Sequence, residues 1–126
     1  MARVLIVEDN PANMTLATFL LQSAGHVVLS ARDAETGIAL ARVEQPDLIL
    51  MDIQLAGMDG LAATALLKSD PSTRAIPVIA LTALAMKGDE QRILAAGCDG
   101  YIAKPLAYKE FLATISAQLV KAPLYG

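Results

Sequence analysis

Short, wholly apolar runs alternate along this chain with longer stretches of helical periodicity. The runs cover residues 4–7, 27–29, 48–51, 78–81 and, more weakly, 101–103. The longer stretches cover about 11–24, 33–45, 60–69, 86–96 and 107–121. Runs that are apolar at every position suit strands buried on both faces, and strand–helix alternation predicts a parallel α/β sheet with helices on both sides. The helix ends carry punctuation. Asn10 stands ready to cap a helix whose first residue is Pro11, and Gly25 closes it; Asp33 caps the second and Gly97 closes the fourth. In the last stretch Tyr108, Phe111, Leu112, Ile115 and Leu119 recur at helical spacing, which predicts one face packed on the sheet.

The first, third and fourth runs are unbroken, whereas the second and fifth are interrupted by polar or small residues, as edge strands are. That places the strands in the order 2-1-3-4-5, a doubly wound, flavodoxin-like sheet of five parallel strands with five helices. Right-handed crossovers then bring every strand's C-terminal end to one rim, with the topological switch point between strands 1 and 3.

The polar residues that follow the runs meet on that rim: Glu8 and Asp9 after the first, Asp52 after the third, Thr82 after the fourth and Lys104 after the fifth. Two carboxylates about 4 Å apart repel by about 4 kcal/mol at an effective dielectric near 20, so three need protons or a cation. An all-oxygen set without His or Cys suits Mg2+ rather than Zn2+. An Asp carboxylate can attack a phosphoryl group to give an acyl phosphate, and catalysis then consists of placing positive charge and donors at the phosphoryl oxygens. Lys104 supplies the charge and Thr82 a hydroxyl. Taken singly, each is an ordinary loop residue or helix cap; together, at the ends of four strands, they point to chemistry.

Composition narrows the choice. With 126 residues the chain is expected to form one domain, 1–126, without an output domain. A net charge of −3 disfavours phosphate-driven nucleic-acid binding. The single cysteine, Cys98, excludes an internal disulfide and reads as a small core residue in a reducing compartment. The apolar runs are far too short to span a bilayer, and the N-terminus turns acidic too early for a secretory signal, so a cytoplasmic protein without membrane contact is expected. His26 follows Gly25 at an edge strand and reads as a surface residue. Phosphate-binding glycine loops are absent, which leaves a nucleotide enzyme unsupported.

Val7-Glu8-Asp9-Asn10, Leu50-Met51-Asp52, Met58-Asp59-Gly60, Leu81-Thr82-Ala83 and Lys104-Pro105 together resemble the signature of response-regulator receiver domains, over essentially the whole chain. Ala85-Met86-Lys87-Gly88-Asp89 and Gly97-Cys98 look most like small stand-alone members. The resemblance implies that Asp52 is phosphorylated by a sensor histidine kinase or a histidine phosphotransfer protein. It implies that Asp9, Glu8 (directly or through water), Asp52 and the Gln54 carbonyl hold Mg2+, and that Thr82 and Lys104 contact the phosphoryl group. It further implies a cis Lys104–Pro105 bond, and a switch in which Thr82 moves and Tyr101 changes rotamer. The output would then be a protein target met by helix 4, strand 5 and helix 5, with the chain a monomer that catalyses only its own phosphorylation and dephosphorylation. Ala56 stands where many receivers have proline and is expected to loosen the loop after Asp52. Gln54 and Leu84 occupy positions that tune phosphate lifetime. An Asp-nucleophile phosphatase is the competing enzyme reading, but such enzymes usually carry a second Asp where this chain has Gln54. A pseudo-receiver that only docks partners is the competing binding reading, against which the intact acid set stands.

Overall fold

The computed structural model of the chain describes residues 2–83 and 87–121. Its strands are β1 (Arg3–Val7), β2 (Val27–Ala31), β3 (Leu48–Asp52), β4 (Val78–Thr82) and β5 (Gly100–Ala103). They alternate with α1 (Pro11–Ser23), α2 (Ala34–Glu44), α3 (Gly60–Ser69), α4 (Lys87–Ala95) and α5 (Tyr108–Lys121). The sheet is parallel throughout, in the order β2-β1-β3-β4-β5. β3 and β4 are buried at every position, and β1 at every position after Arg3. β2 and β5 lie at the edges and expose part of their length. The division between unbroken and interrupted apolar runs is therefore the division between strands covered on two faces and strands at the margin. β3 and β4 each extend one residue past their apolar runs, which makes Asp52 and Thr82 their last residues.

Strand alternation sorts the core into two layers. Leu5, Val7, Ile49 and Met51 pack with Ile38 of α2, Leu67 of α3 and Ile93 of α4. Val4, Ile6, Leu48 and Leu50 pack on the other face with Leu20 and Leu21 of α1 and Phe111 and Ile115 of α5. Tyr108 departs from the expected stripe. It is the first helical residue of α5, ahead of the turn that meets the sheet, and is 58% exposed.

The caps form as the sequence predicts. Asn10 accepts the N–H groups of Ala12 and Asn13 with Pro11 opening the helix, and Asp33 accepts that of Thr36. Asp59, which the sequence reading left without this role, caps α3 through the Ala62 N–H. Gly25, just past the end of α1, has φ +89°, a conformation that favours glycine. The Lys104–Pro105 bond is cis. Among the described residues no helix is long and apolar enough to cross a membrane.

Candidate functional site

Neighbouring strands lie about 4.8 Å apart, so residues leaving adjacent strand ends at one height are brought together. Glu8 and Asp9 follow β1, Asp52 ends the adjoining β3, and a carboxylate oxygen from each of the three lies within 4.8 Å of the others. Lys104, just past β5, reaches back across the end of β4. Its Nζ stands 2.9 Å from Glu8 Oε1 and 3.1 Å from Asp52 Oδ2. Thr82 is fully buried at the end of β4 and pairs in register with Ala103 of β5. All five rim residues read from the sequence thus converge on one rim. Gln54 joins them through its backbone N–H, which donates to Asp52 Oδ1 at 2.9 Å. Tyr101 lies apart, half-exposed on the edge strand opposite Ala80. Leu84 and most of the 83–86 loop expected to shift on activation lie outside the described residues.

The electrostatics of the rim follow from burial. Glu8 and Asp52 are only 1% and 2% exposed. Burial pushes the Glu8 carboxyl above its ordinary range, and the adjoining Asp52 carboxyl adds to that, while Lys104 and the Asn10 N–H pull the other way. Burial likewise opposes ionisation of Asp52, but hydrogen bonding with Glu8, the Gln54 N–H and Lys104 together hold its carboxyl below the usual range. Lys104 is opposed by burial too, yet its two carboxylate partners keep it charged. Burial and the neighbouring acid thus push Glu8 toward protonation, whereas the donors around Asp52 favour its carboxylate.

Glu8 Oε1 is buried with the Lys104 charge beside it but accepts no hydrogen bond of good geometry. Three carboxylates facing one ammonium also leave negative charge in excess. An oxygen-only set with surplus charge and an unsatisfied acceptor fits a hard divalent cation of the Mg2+ kind.

The loop after β3 shows what sequence reasoning missed. Ala56 does not simply loosen it: its N–H donates to Asp9 Oδ2 at 3.1 Å, a bond proline cannot make. Gly60 lies so close to the end of β3 that a Cβ there would run into the Asp52 carbonyl oxygen and Ile53 Cα. Both obstacles are backbone, so Gly60→Ala is expected to cost at least about 1–3 kcal/mol and to displace Asp52. Urea denaturation and the Mg2+ response of the variant check this, and wild-type values for both would show that the loop can give way. Arg32, at the end of β2, also lines the cleft, together with Glu8 and Asp9. Nothing in the sequence pattern marked it. His26 and Cys98 stay outside the chemistry. His26 Nδ1 accepts the Ala2 N–H at 3.1 Å. Cys98 is buried against Thr64, and burial pushes its thiol up.

Residues 4–116 match the family model of the response regulator receiver domain. The chain is 49% identical over 116 residues to the polar-differentiation response regulator DivK of Brucella anthropi, an alignment covering 92% of this chain and 94% of that protein. Among solved structures it is similar to the receiver domain of a sensor histidine kinase from Pseudomonas aeruginosa, which has a magnesium ion coordinated in its active-site cleft. The two share 35% identity with a TM-score of 0.89, over 95% of this chain and 98% of that one. A CheY-like receiver domain protein from Methanospirillum hungatei superposes with a TM-score of 0.90 at 28% identity, over 100% of this chain and 99% of that one. The family match together with the acidic cluster at the switch point of this sheet makes the chain a phosphoaccepting switch of two-component signalling. The chain belongs to the response-regulator receiver family and is closely related to its stand-alone DivK-type members. Its catalysis is accordingly confined to its own phosphorylation and dephosphorylation, which sets aside the general phosphatase.

Proposed function

We propose that Asp52 accepts the phosphoryl group, with Lys104 and Thr82 at the phosphoryl oxygens and a sensor histidine kinase or histidine phosphotransfer protein as donor. The observation that carries this is the buried Asp52 carboxyl, held between the Lys104 ammonium and the Gln54 N–H beside two further acids. An Asp52 carboxylate oxygen attacks phosphorus, the P–N bond to the donor's imidazole breaks, and its electron pair returns to the imidazole nitrogen. Water attacking the same phosphorus later breaks the P–O bond to Asp52, which restores the carboxylate and releases inorganic phosphate, with the water's proton passing to phosphate or solvent. Both steps build charge on phosphoryl oxygens, where Lys104 places its ammonium and Thr82 its hydroxyl. Asp9, Glu8 directly or through water, Asp52 and the Gln54 carbonyl are the residues that would hold Mg2+. Bound there, it supplies the positive charge that offsets their repulsion and polarises the phosphoryl oxygens.

Output follows from the same rim. New negative charge on Asp52 draws the Thr82 hydroxyl inward by hydrogen bonding, and Tyr101 on the neighbouring edge strand follows into the space it leaves. α4 buries Ile93 but leaves Leu94 49% exposed, so few contacts hold it in place. The protein target is read by α4, β5 and α5. Incubation with acetyl phosphate and Mg2+, followed by peptide mapping, tests the assignment. A modification that maps elsewhere, or needs no Mg2+, sinks it.

The metal set has its own test. Asp9→Ala is expected to weaken Mg2+ binding at least about tenfold, the scale on which metal ligands and their supports act. Ala56→Pro deletes the N–H that orients Asp9 and is expected to weaken binding less, while Ala56→Gly, which keeps that N–H, stays close to wild type. Metal titration followed by NMR reads all three. Equal affinity in wild type and Asp9→Ala would remove Asp9 from the site.

A further inference from the structure

Three of the buried polar side chains among the described residues, Glu8, Asp52 and Thr82, belong to the rim. Two more, Thr64 and Thr73, belong to α3 and the turn after it. Thr73 closes the far end of that helix, donating its hydroxyl to the Leu67 carbonyl at 2.7 Å. Thr64 serves the end nearer the rim. Its hydroxyl donates to the carbonyl of Gly60, the first residue of α3, at 2.8 Å, and accepts the Cys98 thiol at 3.8 Å. Valine has nearly the same shape and brings no hydroxyl that burial must satisfy. A threonine bonded to the carbonyl four residues back also tends to bend and slightly weaken its helix. Stability alone therefore favours valine here, and the hydroxyl calls for another reason.

The Gly60 peptide supplies one. Residues 53–59 leave β3 after Asp52 and enter α3 at Gly60. Gly60 lies so close to the Asp52 carbonyl and Ile53 that it has no room for a Cβ, and its N–H reaches the Ile53 carbonyl at a long 3.3 Å. The segment between donates the Gln54 N–H to Asp52 and the Ala56 N–H to Asp9. A shift of the Gly60 peptide is thus passed to both backbone donors that orient the acids. Asp59 fixes the helix start from the solvent side through the Ala62 N–H, and Thr64 fixes it from within the core.

We propose that Thr64 is a positioning residue for the acceptor site: its buried hydroxyl sets the first turn of α3, and with it the placement of residues 53–59 on Asp52 and Asp9. Its effect on phosphorylation rests on Asp52 as the acceptor. Two substitutions separate positioning from packing. Thr64→Val removes the hydroxyl and keeps the shape, and the Gly60 carbonyl retains its helical N–H partner. It is expected to be at least as stable as wild type, yet to bind Mg2+ about threefold to tenfold more weakly, the scale of one net hydrogen bond. Labelling by acetyl phosphate at subsaturating Mg2+ should slow by a similar factor. Thr64→Ser keeps the hydroxyl and loses a methyl, so it should lose stability while holding Mg2+ affinity and labelling within twofold of wild type. Packing alone predicts the reverse order. Urea denaturation, NMR titration with MgCl2 and intact-mass measurement read the three quantities, and the Gln54 and Ala56 amide signals should shift in Thr64→Val. A loss of Mg2+ affinity below threefold in Thr64→Val overturns the proposal, as does an equal loss in both variants. Should Thr64→Val not fold, Thr64→Ala removes the same hydroxyl and must meet the same threshold; if neither folds, the hydroxyl serves the fold and the proposal falls. Wild-type protein that acetyl phosphate does not label would sink the Asp52 assignment, while the Mg2+ titration still decides Thr64.

Discussion

Asp52→Asn is expected to fold and to take no phosphoryl group from any donor. The amide has the shape of the carboxylate, and its oxygen can still accept the Gln54 N–H or face Lys104, which stand 2.9 Å and 3.1 Å from the two carboxylate oxygens. It has lost the charge that makes it a nucleophile, and an amide oxygen forms no acyl phosphate. Stability should hold or rise in the metal-free protein, because one of three mutually repelling acids has gone. Intact-mass measurement after acetyl phosphate and Mg2+ checks the chemistry, and urea denaturation checks the fold. Phosphate incorporation at the wild-type level by a folded Asp52→Asn protein would falsify the acceptor assignment. The neighbouring acids cannot readily stand in for it. Glu8 is buried and holds its proton more tightly than an ordinary glutamate, and one oxygen of Asp9 is engaged by the Ala56 N–H.

The sheet order and the five rim residues were legible because each rests on a rule with a short range and a strong signal. A strand buried on both faces must be apolar at every position, so β1, β3 and β4 declared themselves, and a parallel sheet then brings their ends to one rim. Caps were legible for the same reason: Asn10 and Asp33 bond to N–H groups only two or three residues away. What stayed hidden depends on contacts distant in sequence or on backbone atoms that carry no side-chain signature. The Ala56 N–H meets Asp9 across 47 positions, and alanine at that place reads only as the absence of proline. Gly60 belongs to a quoted motif, but that a Cβ there would meet the Asp52 carbonyl shows only in three dimensions. Arg32 sits beside Asp33, a cap that accounts for the segment by itself, and only the cleft shows that it shares a lining with Glu8 and Asp9. Tyr108 erred in the other direction: it fits the periodicity of α5 but precedes the turn that the sheet covers.

Lys104→Met is expected to cost up to about 3 kcal/mol of stability at pH 7 without metal, and to recover most of it on adding Mg2+. The lysine is the positive partner of two almost fully buried carboxylates, and removing it leaves them facing each other. The protein can relieve that by taking up a proton on Glu8, whose carboxyl burial already pushes up. This sets the ceiling: raising a group from its ordinary value of 4.5 so that it stays protonated at pH 7 costs about 1.4 kcal/mol per unit, about 3 kcal/mol in all. The sign follows from proton counts. Between pH 4.5 and the raised value the variant's native state binds a proton that its unfolded state has released, so its stability falls as pH rises through that window. Below the window both states are protonated and the gap to wild type narrows. Mg2+ closes it by another route, replacing the lost charge among the same oxygens. Urea denaturation of both proteins at pH 5 and pH 8, with EDTA and then with Mg2+, reads this directly. A gap that is equal at the two pH values and indifferent to metal would mean that Lys104 acts by packing alone. Phosphorylation should separate the two roles of the lysine: Mg2+ restores the stability of Lys104→Met, but labelling of Asp52 stays slower than wild type, because the ammonium that faces the phosphoryl oxygens has not been replaced.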